Sequence, residues 1–528
     1  MDKKWLILGL LLLSLSLYFF TANHWSLQDA DESFYASIAR EMVQDGDWLT
    51  LHYNGVPFFH KPPLVFWLVA ISYKIFGVNE VSARLPIIIL AIMSILLIYL
   101  LAWELFHDFY TSFFSSLILL TTYHFLHIGH LVMTDVPTIF FILLGLYGLI
   151  RSSVKKEWAA LYGLGLGLAI LSKGVLGAAL IICILPYIIW QKKFSYLRNP
   201  YLWIGFICGM MLCGSWYFHQ IRVHGNIFLK IHFWQQVVQR SQEKMHESGN
   251  LGVLFYPMQV LLNFFPWSII LPFSLFENIK GFFKKREEHS LIIGWVVTFF
   301  IIIAMMRTKL PHYCLSFYPF FAISVGQFTS RIFREGGFLK RLVAINWIYL
   351  VFSLAILFVI FLAMKIQDYS IYRKYIPVAL AISIFFITLS LFYLFAVRNK
   401  RMLNINQIWI KLLSSGTYIL LVFAILTLKI WDFNPEIKQL AEVAAQNIYF
   451  IHIPDRPDVG DAVRFYNSGV TEIKVEDARK ILQGREKGIF LTTKEMVKQA
   501  GFKKCKIIAQ SGDWLLITNA WQQTGQRF

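Results

Sequence analysis

The sequence predicts an all-α polytopic membrane domain followed by a small C-terminal α/β domain, and three observations carry that expectation. Of 528 residues, 57% are hydrophobic and only 15% charged, against roughly 25% charged in an average soluble domain. A water-soluble fold could not hide that much apolar surface. Apolar runs of nearly bilayer-spanning length recur through residue 431. After Trp431 the pattern changes: short apolar runs (NIYFIHI, GIFLTT, WLLITN) alternate with polar helical segments (VGDAVRFYNSG, EIKVEDARKIL, KEMVKQAG), as strands and helices do in a small α/β unit. The expected division is 1–433 and 434–528.

Thirteen candidate spans follow from the apolar runs: 5–21, 83–105, 111–127, 134–150, 158–172, 174–190, 201–218, 260–276, 290–306, 312–330, 342–364, 376–397 and 409–431. The N-terminus, MDKKWLILGLLLLSLSLYFF, has the charge and apolar run of a signal peptide, but TANHWSLQDA offers no small-x-small cleavage site, so it reads as an uncleaved first span. Net charge is +18, from 49 Lys and Arg against 31 Asp and Glu. In a soluble protein that excess would suggest nucleic acid. Here it falls in short loops on one side, at Arg151, Lys155 and Lys156, at Lys192, Lys193 and Arg198, at Lys280 to Arg286, at Arg331 to Arg341 and at Arg398 to Lys411. That is the cytoplasmic bias of membrane proteins, so no nucleic-acid partner is expected, and some of the cations meet anionic lipid. The C-terminus and two long loops, 22–82 and 219–259, are then expected outside.

In the first of those loops, residues 32–44 (ESFYASIAREMVQ) put Phe34, Tyr35, Ile38 and Met42 on one helical stripe, suited to the membrane interface. Residues 64–77 are apolar but short, as in a juxtamembrane or re-entrant helix. The five cysteines form no CxxC pair or disulfide framework. No internal repeat is visible, which disfavours a carrier built from inverted repeats.

Residues able to carry chemistry gather at the outer ends of spans. Asp29, Asp31 and Glu32 follow the first span. Asp29 to Glu32 reads as a capping box and Asp31 as a helix cap; equally, one of these acids can serve as a general base toward an acceptor hydroxyl. Asp135, before Pro137, is either an N-cap or a second acid of the same site. Lys61, between His60 and two prolines, is a snorkelling lysine or a fixed cation for a leaving phosphate. Arg84, Lys173, Arg240, Arg307 and Lys309 are further outer-face cations. His60, His246 and His312 lie in outer loops or span ends without ligand spacing, so a zinc site is open while a structural role is the simpler reading. A transporter would place its acids near the bilayer midplane; these sit at one face.

Six segments in order, DADESFYASIAREMVQDGDWL, FFHKPPLVFWL, VMTDVPT, LSKGVLGAAL, IHFWQQVVQRSQEKMH with a later FPW, and RTKLPHYCLSFYP, resemble the bacterial aminoarabinose (lipid A) transferase and protein O-mannosyltransferase superfamily of GT-C glycosyltransferases. The resemblance covers most of the membrane domain. It implies transfer of a sugar from undecaprenyl phosphate to an acceptor, lipid A or a glycan or protein hydroxyl, in one inverting step at the periplasmic face of the bacterial inner membrane. It implies catalytic roles for Asp31, Glu32 and Asp135, lipid-phosphate contacts from Lys61, Arg240 and Tyr313, and a metal-binding histidine at His246. Two departures stand out: an arginine of the aminoarabinose enzyme is Phe34 here, and a glutamate is His60.

Overall fold

The computed structural model describes residues 3–22, 26–28, 30–243, 252–334, 434–444, 448–453, 459–467, 469–483, 488–500, 502 and 505–519. The chain is mostly helical, with a small sheet domain at its C-terminal end. The candidate spans at 342–364, 376–397 and 409–431 lie outside the described residues.

Helix α1 (Lys3–Ala22) leads into α2 (Asp31–Asp45), a two-stranded hairpin (β1, His52–Tyr53; β2, Val56–Pro57) and α3 (Leu64–Phe76). The bundle continues through α4 (Glu80–Phe106), α5 (Phe109–Leu120), α6 (Tyr123–Ile128), α7 (Asp135–Arg151), α8 (Ala160–Lys173), α9 (Ala179–Trp190) and α10 (Pro200–Leu229). After α11 (Arg240–Gln242) come α12 (Phe255–Asn263), α13 (Leu271–Phe283), α14 (Glu287–Met305) and α15 (Tyr318–Arg334). Four stretches among the described residues are long and apolar enough to cross a membrane: Glu80–Phe106, Lys156–Leu176, Pro200–Gln239 and Glu287–Met305.

Three expected spans differ in form, each for a physical reason. Residues 111–127 are two helices, α5 ending at Leu120 and α6 starting at Tyr123; at the break the Thr121 and Thr122 hydroxyls bond back to the carbonyls of Leu117 and Ile118, which loosens a helix. Residues 260–276 break at Phe264–Pro266. The two breaks satisfy each other: Tyr123 N–H donates to the Phe265 carbonyl at 3.0 Å and Trp267 Nε1 to Thr121 Oγ1 at 2.9 Å, as an apolar surrounding without water requires. Residues 312–330 open as a tight 3₁₀ turn, Pro311–Phe317, before α15. The expected loop at 219–259 is also shorter, since α10 continues to Leu229 and then as a wide π-type helix over Lys230–Gln239.

Helix α4 packs against α1, α3, α5 and α7, while α8 bridges α7 and α10. The seam between α8 and α10 is backbone on backbone: a Cβ on Gly163 would lie 2.0 Å from Phe206 N, and one on Gly209 2.0 Å from the Gly163 carbonyl. Small residues four positions apart, Gly163 and Gly167 on α8 and Gly205 and Gly209 on α10, permit this approach. At one end of the bundle, ion pairs tie neighbouring helices, Arg151 to Glu104 at 2.7 Å and Arg334 to Asp108 at 2.6 Å. At the other end α1, α8, α10 and α14 finish and α4 and α7 begin.

That second end carries the C-terminal part. Helix α16 (Pro435–Val443), β3 (Ile448–Ile451), α17 (Val459–Tyr466), β4 (Val470–Ile473), α18 (Val475–Gln483), β5 (Ile489–Thr493), α19 (Lys494–Ala500), β6 (Cys505–Ser511) and β7 (Trp514–Asn519) form a five-stranded sheet of order β4-β3-β5-β7-β6. β4, β3 and β5 are parallel, and β7 and β6 add antiparallel. α17 rests on α2, and Phe465 enters the apolar core made by Tyr35, Ile38, Met42, Phe66 and Val69.

Candidate active site

The site begins where the chain leaves α1. Asp31 and Glu32 open α2, where the positive end of the helix dipole favours acids. The capping expectation is corrected for Asp31: the N-cap is Ala30, at φ 63 and ψ −127, with no side-chain cap, and Asp29 lies outside the described residues. A non-glycine residue in that conformation costs about 1–3 kcal/mol and persists only where surrounding contacts impose it. Glu32 reaches back instead, its Oε2 accepting the Gln28 N–H at 2.8 Å.

The other oxygen of Glu32 and much of Arg84 are committed to each other. Arg84 Nε donates to Glu32 Oε1 at 2.7 Å and Nη2 to Oε2 at 2.9 Å, while Nη1 and Nη2 also reach the carbonyls of Ala22 and Ser26, both at 3.0 Å. The side chains are 0% and 1% exposed. Arg84 is therefore not an open cation for a lipid phosphate, and Glu32 is not an open acid. Together they bolt α2 to α4, and Val132 N–H, close before Asp135, adds a bond to Glu32 Oε1 at 3.4 Å.

Asp31, one position earlier, has the opposite surroundings. It is partly exposed, and no side-chain hydrogen bond to it forms among the described residues. The His312 imidazole lies within electrostatic reach of Asp31, Asp135, Lys173 and Lys61. Asp135, first residue of α7 and 6% exposed, pairs with Lys173, the last residue of α8, at 2.5 Å. The N-cap of α7 is Thr134. Lys173 Nζ also stands 5.4 Å from the centre of the buried Tyr313 ring, a cation–π contact suited to an ammonium removed from water. Burying an ion pair costs more than the pair returns unless further partners compensate; the Tyr313 ring is one such partner for Lys173.

Lys61 is carried by the Phe58–Pro63 segment between the β1–β2 hairpin and α3. A residue outside the sequence expectation fixes it: His232 Nδ1 bonds the Phe59 carbonyl at 2.7 Å, and Nε2 meets the Tyr217 hydroxyl at 3.1 Å. Beside Lys61, the rings of Phe34 and His60 both pack on Phe58, at 5.3 and 5.0 Å. The two positions that depart from the aminoarabinose enzyme thus lie on either side of one phenylalanine, and an aromatic contact occupies the place where the resemblance has opposite charges.

Other expected residues are placed differently. Lys309 donates to the carbonyls of Ala304 and Met306 at 3.0 and 2.9 Å, capping the end of α14 as a terminal lysine does, which corrects its expected role toward phosphate. Arg240 begins α11; the expectations for its side chain and for His246 lie outside the described residues. Among the described residues no group of three or more His, Cys, Asp or Glu is arranged to hold a metal ion, and His60 is packed on Phe58. His232 is the side chain that the sequence did not single out, although it sits within IHFW, and His312, weighed there as a zinc ligand or a structural histidine, stands instead among the charges of this site.

Residues 60–218 match the family model described as dolichyl-phosphate-mannose-protein mannosyltransferase. An uncharacterized protein of Aquifex aeolicus (strain VF5) is 30% identical over 332 residues, 61% of this chain and 73% of that protein. The chain belongs to the aminoarabinose transferase and protein O-mannosyltransferase superfamily. Another member, the undecaprenyl phosphate-alpha-4-amino-4-deoxy-L-arabinose arabinosyl transferase 2 of Proteus mirabilis (strain HI4320), is 27% identical over 369 residues, 68% of this chain and 65% of the relative. The chain thus spans just under two thirds of that relative's length. The fold is similar to that of a solved structure: the crystal structure of ArnT from Cupriavidus metallidurans bound to undecaprenyl phosphate superposes with a TM-score of 0.78 at 18% identity, covering 100% of both chains.

Proposed function

We propose that this protein is an inverting glycosyltransferase that takes a pentose or hexose from undecaprenyl phosphate and transfers it, at the outer face of the bacterial inner membrane, to a lipid A phosphate. One observation carries the reading: the buried Asp135–Lys173 pair stands beside Tyr313 at the end of the bundle, with the charges of Asp31 and Lys61 within electrostatic reach of the neighbouring His312, where a lipid-linked headgroup emerges from the bilayer. The acceptor oxygen attacks the anomeric carbon, its bond to the donor phosphate oxygen breaks, and negative charge grows on that phosphate. Lys61, held by the His232-anchored Phe59 backbone, meets the growing charge with a cation already in place. Asp135 holds Lys173 beside the same site. Asp31 orients the sugar, and with an ionised phosphate acceptor little base catalysis is required of it.

The names of relatives such as the Proteus mirabilis enzyme favour the lipid A acceptor. A hydroxyl of a protein or another glycan is the second reading, favoured by the partly exposed Asp31 carboxylate, which is available to take a proton. The outer location rests on the cations at the opposite end of the bundle, which mark the cytoplasmic side; a reporter fused at residue 434 should give an external signal. The decisive experiment is incubation of purified protein with a panel of radiolabelled undecaprenyl-phosphate sugars. Consumption of one with release of undecaprenyl phosphate is expected; consumption of none overturns the function.

A further inference from the structure

We infer that the C-terminal domain is a clamp on the active-site loop, with Tyr466 and Asn434 as positioning residues for Asp31; the part played by Asp31 rests on the function proposed above. The tripeptide Ser26–Leu27–Gln28, just ahead of Asp31, is gripped from three sides. Helix α4 holds it through Arg84 on the Ser26 carbonyl. Helix α2 holds it through Glu32 on the Gln28 N–H and through Ser33 N–H on the Gln28 carbonyl at 3.1 Å. The C-terminal domain supplies the rest. Leu27 N–H donates to the Tyr466 hydroxyl at 2.8 Å, Asn434 Nδ2 donates to the Leu27 carbonyl at 3.0 Å, and Asn434 N–H donates to Ser26 Oγ at 2.8 Å. Leu27 itself is fully buried.

The same domain also takes hold farther along α2. Arg40 Nη1 donates to the carbonyls of Arg464 and Phe465 at 3.2 and 2.6 Å, a cation at the negative end of α17. Tyr53, from the hairpin below, meets Asp461 and accepts from Arg464 at 2.6 Å; burial first, and the Asp461 carboxylate second, push its hydroxyl above the ordinary range, so it stays neutral. The last residues of α17 thus fix the approach to α2 and its middle. Between the gripped tripeptide and Asp31 stands Ala30, in a backbone conformation that an alanine adopts only under constraint. Release of the tripeptide lets Ala30 relax and turns the first residue of α2, which is Asp31.

Hydrogen exchange on the full chain in lipid nanodiscs, read together with donor turnover on the undecaprenyl-phosphate sugar panel, tests this. Tyr466→Phe deletes one hydroxyl and keeps the ring. It is expected to speed exchange across residues 27–34 about tenfold, with strands 489–493 and 514–519 unchanged. It should lower kcat by about ten- to a hundredfold with KM altered less than about twofold. Asn434→Ala should act in the same direction. In an Asp31→Ala background the Tyr466→Phe loss should vanish, because a residue acting through the Asp31 side chain has nothing left to position. Unchanged exchange at 27–34 overturns the clamp. So does an undiminished kcat loss in the Asp31→Ala background, which would mark a general structural effect. If the wild type consumes no sugar of the panel while exchange responds as expected, the glycosyl-transfer reading falls and the clamp stands.

Discussion

Two carboxylate–cation pairs lie at the same end of the bundle and have different occupations. Glu32 and Arg84 are sealed together at 1% and 0% exposure, with surrounding backbone groups completing their hydrogen bonds. Asp135 and Lys173 are also nearly buried, but their neighbours are side chains with chemistry of their own: His312, Lys61 and Tyr313. The first pair is a fastener between helices and the second is part of a charged site. Burial and ion pairing alone do not separate the two; what surrounds each pair does. Asp31 and Glu32 make the same point one residue apart, since a step of one position on a helix turns a side chain by about 100° and exchanges a sealed interior for a partly exposed position.

The largest expected effect breaks the fastener. Arg84→Ala leaves Glu32 charged and buried, and should destabilise the protein by about 3–5 kcal/mol, measured by thermal unfolding in detergent. Replacing both partners together by apolar residues of similar volume should recover much of the loss. A single substitution with unchanged stability would erase the distinction between the pairs.

Lys61→Ala addresses the other region. It should leave folding intact and remove roughly 3 kcal/mol of transition-state stabilisation, about a hundredfold in turnover. Near-normal turnover by the folded variant would take Lys61 out of the chemistry. Next, Asp31→Asn compared with Asp31→Ala separates the acceptors. With a phosphate acceptor Asn should retain clearly more activity than Ala. With a hydroxyl acceptor both should lose about 10²- to 10⁴-fold, and wild-type rate should climb with pH. The smallest effect is expected at Lys438, whose ammonium meets Glu80 while 38% exposed. Lys438→Ala should cost about 0.2–1 kcal/mol, and a larger loss would show that the C-terminal domain leans on this contact more than its exposure implies.

The membrane bundle and the α/β tail were legible in the sequence because apolar length and alternation are local signals. Asp31, Lys61, Asp135 and Lys173 stood out because charges bordering apolar runs need a reason. What was not legible is pairing at a distance. Arg84 lies 52 positions from Glu32, and His232 lies 173 from Phe59; nothing nearby in the chain announces either partner. The broken helices were hidden for another reason. Thr121, Thr122 and Trp267 read as apolar or neutral in a hydropathy run, and only their hydrogen bonds reveal that they interrupt a helix.

Those paired interruptions bear on biogenesis. A ribosome delivers Thr121 to the bilayer 146 residues ahead of Trp267, and for that interval the Tyr123 N–H lacks its native partner, the Phe265 carbonyl. An apolar environment tolerates such groups poorly. The α5–α6 turn therefore cannot reach its final form as an isolated hairpin; it is completed only when α12 and α13 arrive. Truncated nascent chains ending before residue 264 should keep this region open to protease or to insertion chaperones, and chains extended past residue 283 should close it.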